Sequence, residues 1–163
     1  MTWLLDTNVF IQAARREYGL DFCPAFWAWL IAANRGGKVH SLDKVLGELP
    51  PGDDVGNWAA ARGSGFFLPL QPADLASLTA VAAWARSGAF TAAGATEFLS
   101  VADSQLVAVA HARKLTVVTH EVPANSSQRI KVPNACIALG AAYVSPYEML
   151  RRERARFVLG RAT

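Results

Sequence analysis

Leu4-Leu5-Asp6-Thr7-Asn8 turns an apolar run, Thr2 to Leu5, directly into an acid, a hydroxyl and an amide. A helical pattern follows at once in Val9, Phe10, Ala13 and Ala14. Strand, polar rim, then helix is the opening of an open α/β sheet, in which ligands bind at the carboxyl ends of the strands. Asp6 is therefore expected at that rim, on a central strand, with the rest of the chain supplying its partners.

The composition agrees with such a sheet. The chain has 163 residues, 52% of them hydrophobic, and a mean hydropathy of +0.19. This suits one domain whose buried strands read as near-continuous apolar runs. No apolar stretch reaches the roughly 18 residues a membrane span needs. The first residues lack a positive region before Asp6, so no signal peptide is read and a cytoplasmic location is expected. Cys23 and Cys136 are isolated in apolar company, which predicts buried thiols rather than a disulfide or a metal site. The formal charge is +3 and the pI about 9.1. Arg151, Arg152, Arg154, Arg156 and Arg161 crowd the last segment; they read as a solvated helix face, a phosphate contact or a docking site for an acidic protein.

Outward from Asp6, strands and helices alternate. Strand one is Trp3 to Leu5, and a helix is expected from Thr7 to Arg16. Pro24 opens a second helix, Ala25 to Asn34, closed by Gly36-Gly37. Val39-His40 reads as a brief strand, and Ser41 as the N-cap of a helix over Leu42 to Leu49. A short helix over Asp53 to Ala61 and an extended Phe66 to Leu68 follow. Pro72 to Arg86 is expected to be helical, with Leu75, Leu78, Ala82 and Ala85 inward. Two more helices are read over Thr91 to Leu99 and Asp103 to Arg113, then a β-branched strand over Leu115 to Val118. Glu121 to Val132 reads as a surface loop, Asn134 to Leu139 as a helix and Tyr143-Val144 as a strand. Ser145-Pro146-Tyr147-Glu148 has capping-box form and starts a terminal helix with Tyr147, Leu150, Phe157 and Val158 on its apolar side. This alternation predicts a parallel sheet of four to five strands, right-handed crossovers and a single domain.

Three further acids can meet Asp6. Glu48 lies on the shoulder of an apolar helical stripe, Asp103 opens a helix, and Glu121 follows a strand in Thr119-His120-Glu121. Singly, each has a plain reading: Asp6 as a helix cap, Asp103 as a first-turn acid, Glu48 as a partner of Lys44, Glu121 as a loop acid. Together they would repel unless a cation or raised pKa values relieved them. Clustered oxygens suit Mg²⁺ or Mn²⁺, whereas His40, His111 and His120 lack the spacing of a zinc site. Metal-assisted phosphodiester hydrolysis is the chemistry such a set serves. Asp6 and Asp103 would be the main ligands, with Glu48 and Glu121 binding through water or a second ion. Asn8 and Thr119 are candidate donors that orient ligands or water.

These segments resemble a PIN domain. The likeness lies in Leu4 to Asn8, in Val45-Leu46-Gly47-Glu48-Leu49, in Ala102-Asp103 and in Val117-Val118-Thr119 followed by an acid. More narrowly, Cys23 to Leu30 (Cys-Pro-Ala-Phe-Trp-Ala-Trp-Leu) and Lys131 to Cys136 are similar to segments of a PIN-like family long labelled a domain of unknown function. The resemblance implies a three-layer α/β/α sandwich and a divalent-metal ribonuclease. It often implies the toxin of a type II toxin–antitoxin pair (VapC-like), a dimer neutralised by a small antitoxin protein. The chain departs from the PIN pattern at the fourth acid, where His120-Glu121 stands in place of the usual Asp.

Two other functions fit parts of the sequence. A phosphatase of the haloacid-dehalogenase type also places an acid after strand one, but needs a second Asp two residues on, where Asn8 stands. A PIN-like module that binds RNA or protein without cutting would have little use for converging negative charge.

Overall fold

The computed structural model describes residues 1–160, so Arg161 lies outside the described residues. Five strands form the sheet: β1 (Trp3–Leu5), β2 (Val39–Leu42), β3 (Phe67–Leu68), β4 (Thr116–Val118) and β5 (Ala142–Val144). Their order is β3-β2-β1-β4-β5, and every pairing is parallel. Leu4 stands beside His40 on one flank and Val117 on the other. Successive strand residues point to opposite faces, yet Trp3, Leu4 and Leu5 are all fully buried. Both faces of the sheet are therefore covered, which makes the three-layer α/β/α sandwich that was expected.

The strand order also locates the site. From β1 the chain builds outward through β2 to β3, then returns to lay β4 against the other edge of β1. The direction of winding reverses between β1 and β4, and the crevice above such a reversal is where open α/β sheets bind ligands. Asp6 follows β1 and Thr119 follows β4.

The helices among the described residues are α1 (Thr7–Gln12), α2 (Pro24–Arg35), α3 (Asp43–Glu48), α4 (Asp54–Ala60), α5 (Leu75–Ala85), α6 (Ala92–Ser100), α7 (Ala102–Arg113), α8 (Val132–Leu139) and α9 (Pro146–Arg152). α7 packs against α5, α6 and α8, and its residues Leu106 to Ala110 are all buried. Phe26, Trp27 and Leu30 of α2 are core, as expected, while Trp29 is half-buried. Cys136 is buried and Cys23 partly so, both as free thiols. No helix among the described residues is long and apolar enough to cross a membrane.

Four local expectations are corrected. Ser41 is no helix cap: β2 runs on through Leu42, and the Ser41 hydroxyl donates to the Leu5 carbonyl at 2.6 Å while its N–H donates to Phe66. Pairing on both flanks outweighs the local capping preference of serine. The first helix does not stay α-helical to Arg16; after Gln12 it widens into a π-helical turn, Ala13–Glu17. In α5 the buried residues are Ser77, Val81 and the expected Ala85, Leu78 packs partly buried against the core as expected, and Leu75 is 61% exposed. Asp74, fully buried in the preceding 3-10 turn, pairs with Arg113 of α7 and sets that phase. Finally, α9 ends at Arg152; Met149 and Leu150 are buried, while Tyr147 and Val158 are exposed.

Candidate active site

Asp6 is the best-fixed acid. Its Oδ1 accepts the Thr7 N–H at 2.7 Å, so it does cap α1. Its Oδ2 accepts from the Thr119 hydroxyl at 2.7 Å and from Asn8 Nδ2 at 2.8 Å. Asn8 Oδ1 in turn accepts the His120 N–H at 3.0 Å, and the Glu121 N–H donates to Thr119 Oγ1 at 3.1 Å. Asn8 and Thr119 thereby tie the ends of β1 and β4 together behind the Asp6 carboxylate. That carboxylate is only 3% exposed.

The two glutamates act on helices further along the chain. Glu48, the last residue of α3, accepts the Thr7 hydroxyl at 3.0 Å and the Ala102 N–H at 2.7 Å. Val101, the residue before α7, offers that helix no side-chain cap, so Glu48 closes it from a distance. Glu121 does the same for α8, accepting the Val132 N–H at 2.8 Å. Lys131 and Arg129 stand 3.6 and 3.9 Å from its other oxygen. Three helices thus begin against an acid of the set, where the positive end of each helix dipole lies. Asp103, in the first turn of α7, takes no hydrogen bond among the described residues.

All four acids line one cavity of about 570 Å³. Burial, opposed by the Thr119 hydrogen bond and reinforced by the charges of Glu121 and Glu48, pushes the Asp6 pKa up to about 6. Burial first, then the charges of Asp6, Glu121 and Glu48, pushes Asp103 up to about 7. Asp103 thus feels the charge of an acid 97 residues away in sequence. Carboxylates held this way favour a proton or a cation at neutral pH.

Residues 3–157 match the family described as domain of unknown function DUF4411. The chain belongs to the DUF4411 family. No curated protein matches it. Among solved structures, FitAcB from Neisseria gonorrhoeae is similar to this DUF4411 chain at 19% identity and a TM-score of 0.53, covering 90% of this chain and 99% of the other. FitAB bound to an IR36 DNA fragment is similar at the same identity and TM-score, with 90% of this chain and 96% of the other covered. At that identity the likeness concerns the fold, which is the expected PIN-like α/β arrangement.

The four acids of this DUF4411 chain line the cavity with oxygen donors alone. All four donors are hard carboxylates, and the Asp103 carboxylate has no competing hydrogen bond. Among the described residues no group of three or more His, Cys, Asp or Glu side chains stands together closely enough to hold a metal ion. As placed, the carboxylates could offer an ion at most one or two direct ligands, with water completing its shell, a mode open to Mg²⁺. It does not form an all-protein cage.

The cavity also holds residues that sequence reading passed over. Arg15 and Arg16 on the π-helical turn, Arg129 on the loop before α8, and Glu97 of α6 all line it. Asn8, Gln12 and Arg16 recur at four-residue spacing, a polar helical stripe that was readable. Nothing local marks Arg129 or Glu97.

Proposed function

We propose that this DUF4411 chain is a Mg²⁺- or Mn²⁺-dependent endoribonuclease, the toxin of a type II toxin–antitoxin pair, acting as a cytoplasmic homodimer held in check by a small antitoxin. One observation carries the reading: Asp6, Glu48, Asp103 and Glu121, from four distant segments, face one cavity at the switch point of a parallel sheet. The PIN-like fold shared with FitAcB and FitAB, and FitAB's binding to a DNA fragment, support it.

Asp6 and Asp103 would hold the ion, with Glu48 and Glu121 reaching it through water. Once bound, the ion supplies charge neutralisation, a lowered pKa for attacking water and relief for the departing oxyanion. The protein's own contribution is orientation. Thr119 and Asn8 fix Asp6 Oδ2, and Glu48 fixes the start of the helix that carries Asp103. A phosphatase acting through an aspartyl nucleophile is disfavoured by the same geometry. Its second carboxylate is replaced by Asn8, whose amide donates to Asp6 and cannot take a proton.

The test is RNA cleavage by the purified protein in Mg²⁺ or Mn²⁺, with and without chelator. Cleavage is expected to need the metal and to fall by about two orders of magnitude or more in Asp6→Asn and Asp103→Asn, as when a ligand of a catalytic ion is lost. Undiminished cutting by both folded variants would overturn the assignment.

A further inference from the structure

The acids explain how a phosphate could be attacked but not how a polyanion enters a cavity lined with carboxylates. The arginines of the rim supply that. Arg15 and Arg16 come from the π-helical turn Ala13–Glu17, a rare backbone form that occurs frequently at functional sites. Arg129 comes from a separate element, the loop between β4 and α8. All three guanidinium groups are available. Arg16 and Arg129 are exposed, and Arg16 has no ion pair among the described residues. Arg15 reaches only Asp53, at 3.8 Å, with both side chains more than half exposed. Arg129 touches Glu121 only at 3.9 Å.

Both carriers are held in place. Glu17 ends the π-helical turn, and one of its oxygens accepts Tyr147 Oη of α9 and Gln12 Nε2, each at 2.9 Å. The loop bearing Arg129 lies against α6: Thr91 N–H donates to the Ser127 carbonyl at 2.8 Å, and a Cβ on Gly94 would come within 2.6 Å of the Gln128 carbonyl. Only glycine at position 94 permits that approach.

Resting on the nuclease reading above, we propose that Arg16 and Arg129, with Arg15 in support, form a phosphate clamp. They grip backbone phosphates of the RNA on either side of the one presented to Asp6 and Asp103. Arginine suits this role because its planar fork pairs with two phosphate oxygens at once, where lysine offers a point charge.

The test is binding of a fluorescent RNA oligonucleotide to Asp103→Asn protein, with Arg16→Ala and Arg129→Ala added singly and together. Cleavage by the same arginine variants in the wild-type background runs alongside. Each arginine lost should weaken binding and flatten the dependence of log affinity on log salt by about 0.7, the single-strand value for one phosphate contact. In cleavage, KM should rise while kcat stays within about threefold, the pattern of lost uniform binding, and lysine at these positions should restore only part of the affinity. Unchanged binding and salt slope in the double variant would overturn the clamp even if the wild type cuts RNA well. Should the wild type cut nothing while the double variant still loses binding, the clamp stands and the nuclease reading falls.

Discussion

The carboxylate of Glu48 closes the open end of a helix that begins 54 residues later, accepting the Ala102 N–H at 2.7 Å. Asp103 is the next residue. One side chain therefore serves both the stability of α7 and the position of the acid that α7 presents.

Glu48→Gln keeps an acceptor for Ala102, whereas Glu48→Ala leaves that N–H without its partner. The alanine variant should lose about 1 kcal/mol of stability, the usual cost of a missing cap. The glutamine variant should lose much less. Both should cut RNA more slowly, because the carboxylate charge is gone in each. Urea unfolding and cleavage assays on the pair separate the two roles.

Asp6 and Asp103 also set a pH dependence. Their folded pKa values, about 6 and about 7, lie above the ordinary 3.8. The folded state therefore binds more protons than the unfolded state between about pH 4 and 7. Without metal, stability should fall as pH rises through this window, by on the order of a few kcal/mol in total. Thermal melts of chelated protein at pH 5 and pH 8 measure it. Asp103→Asn should melt higher than wild type at pH 8 and by a clearly smaller margin at pH 5.

A divalent ion should reverse that loss. Mg²⁺ or Mn²⁺ would bind the ionised acids of the folded state, so adding it at pH 8 should raise the melting temperature, the rise growing with the logarithm of ion concentration above the Kd. The rise should shrink in Asp103→Asn. A melting temperature indifferent to millimolar Mn²⁺ would contradict the metal assignment without any activity assay.

Tyr147→Phe removes one of the two hydrogen bonds that hold Glu17. Tyr147 also packs edge-on against the His120 ring, 5.6 Å between centroids. The phenylalanine keeps that packing, so stability should change by less than about 1 kcal/mol, the net worth of one partly exposed hydrogen bond. KM for RNA should rise by several-fold as the π-helical turn loosens, with kcat little affected.

Gly94→Ala tests the seat of the other arginine. The new methyl would meet the Gln128 carbonyl at 2.6 Å. The loop must shift, so the variant should reproduce the RNA-binding defect of Arg129→Ala while α6 stays folded, as circular dichroism would register.

The acids were legible because each sits where local pattern fixes its place: a strand end, a helix shoulder or a first turn. Asp6 also shows that a plain reading and a functional one can both hold, since it caps α1 and lines the cavity. The misreadings share a cause. Ser41 looks like a cap until β3 and β1 claim its backbone and hydroxyl. Leu75 looks like core until the Asp74–Arg113 pair turns the helix. Arg129 and Glu97 reach the cavity through tertiary placement alone, which leaves no periodic trace. The π-helical turn depends on hydrogen bonds that no composition rule anticipates.

The Trp3 indole donates to Glu153 at 2.8 Å across 150 residues of chain, and β1 is flanked by strands made early and late. A ribosome that has just emitted β1 has emitted none of the neighbours that hold it. Until β4 is translated, Asp6 lacks Thr119, and the cavity has only part of its wall. Sheets of such high contact order fold slowly and late. A nascent chain of this protein therefore carries Asp6 long before the residues that complete its surroundings, and the cavity closes only when synthesis is nearly done.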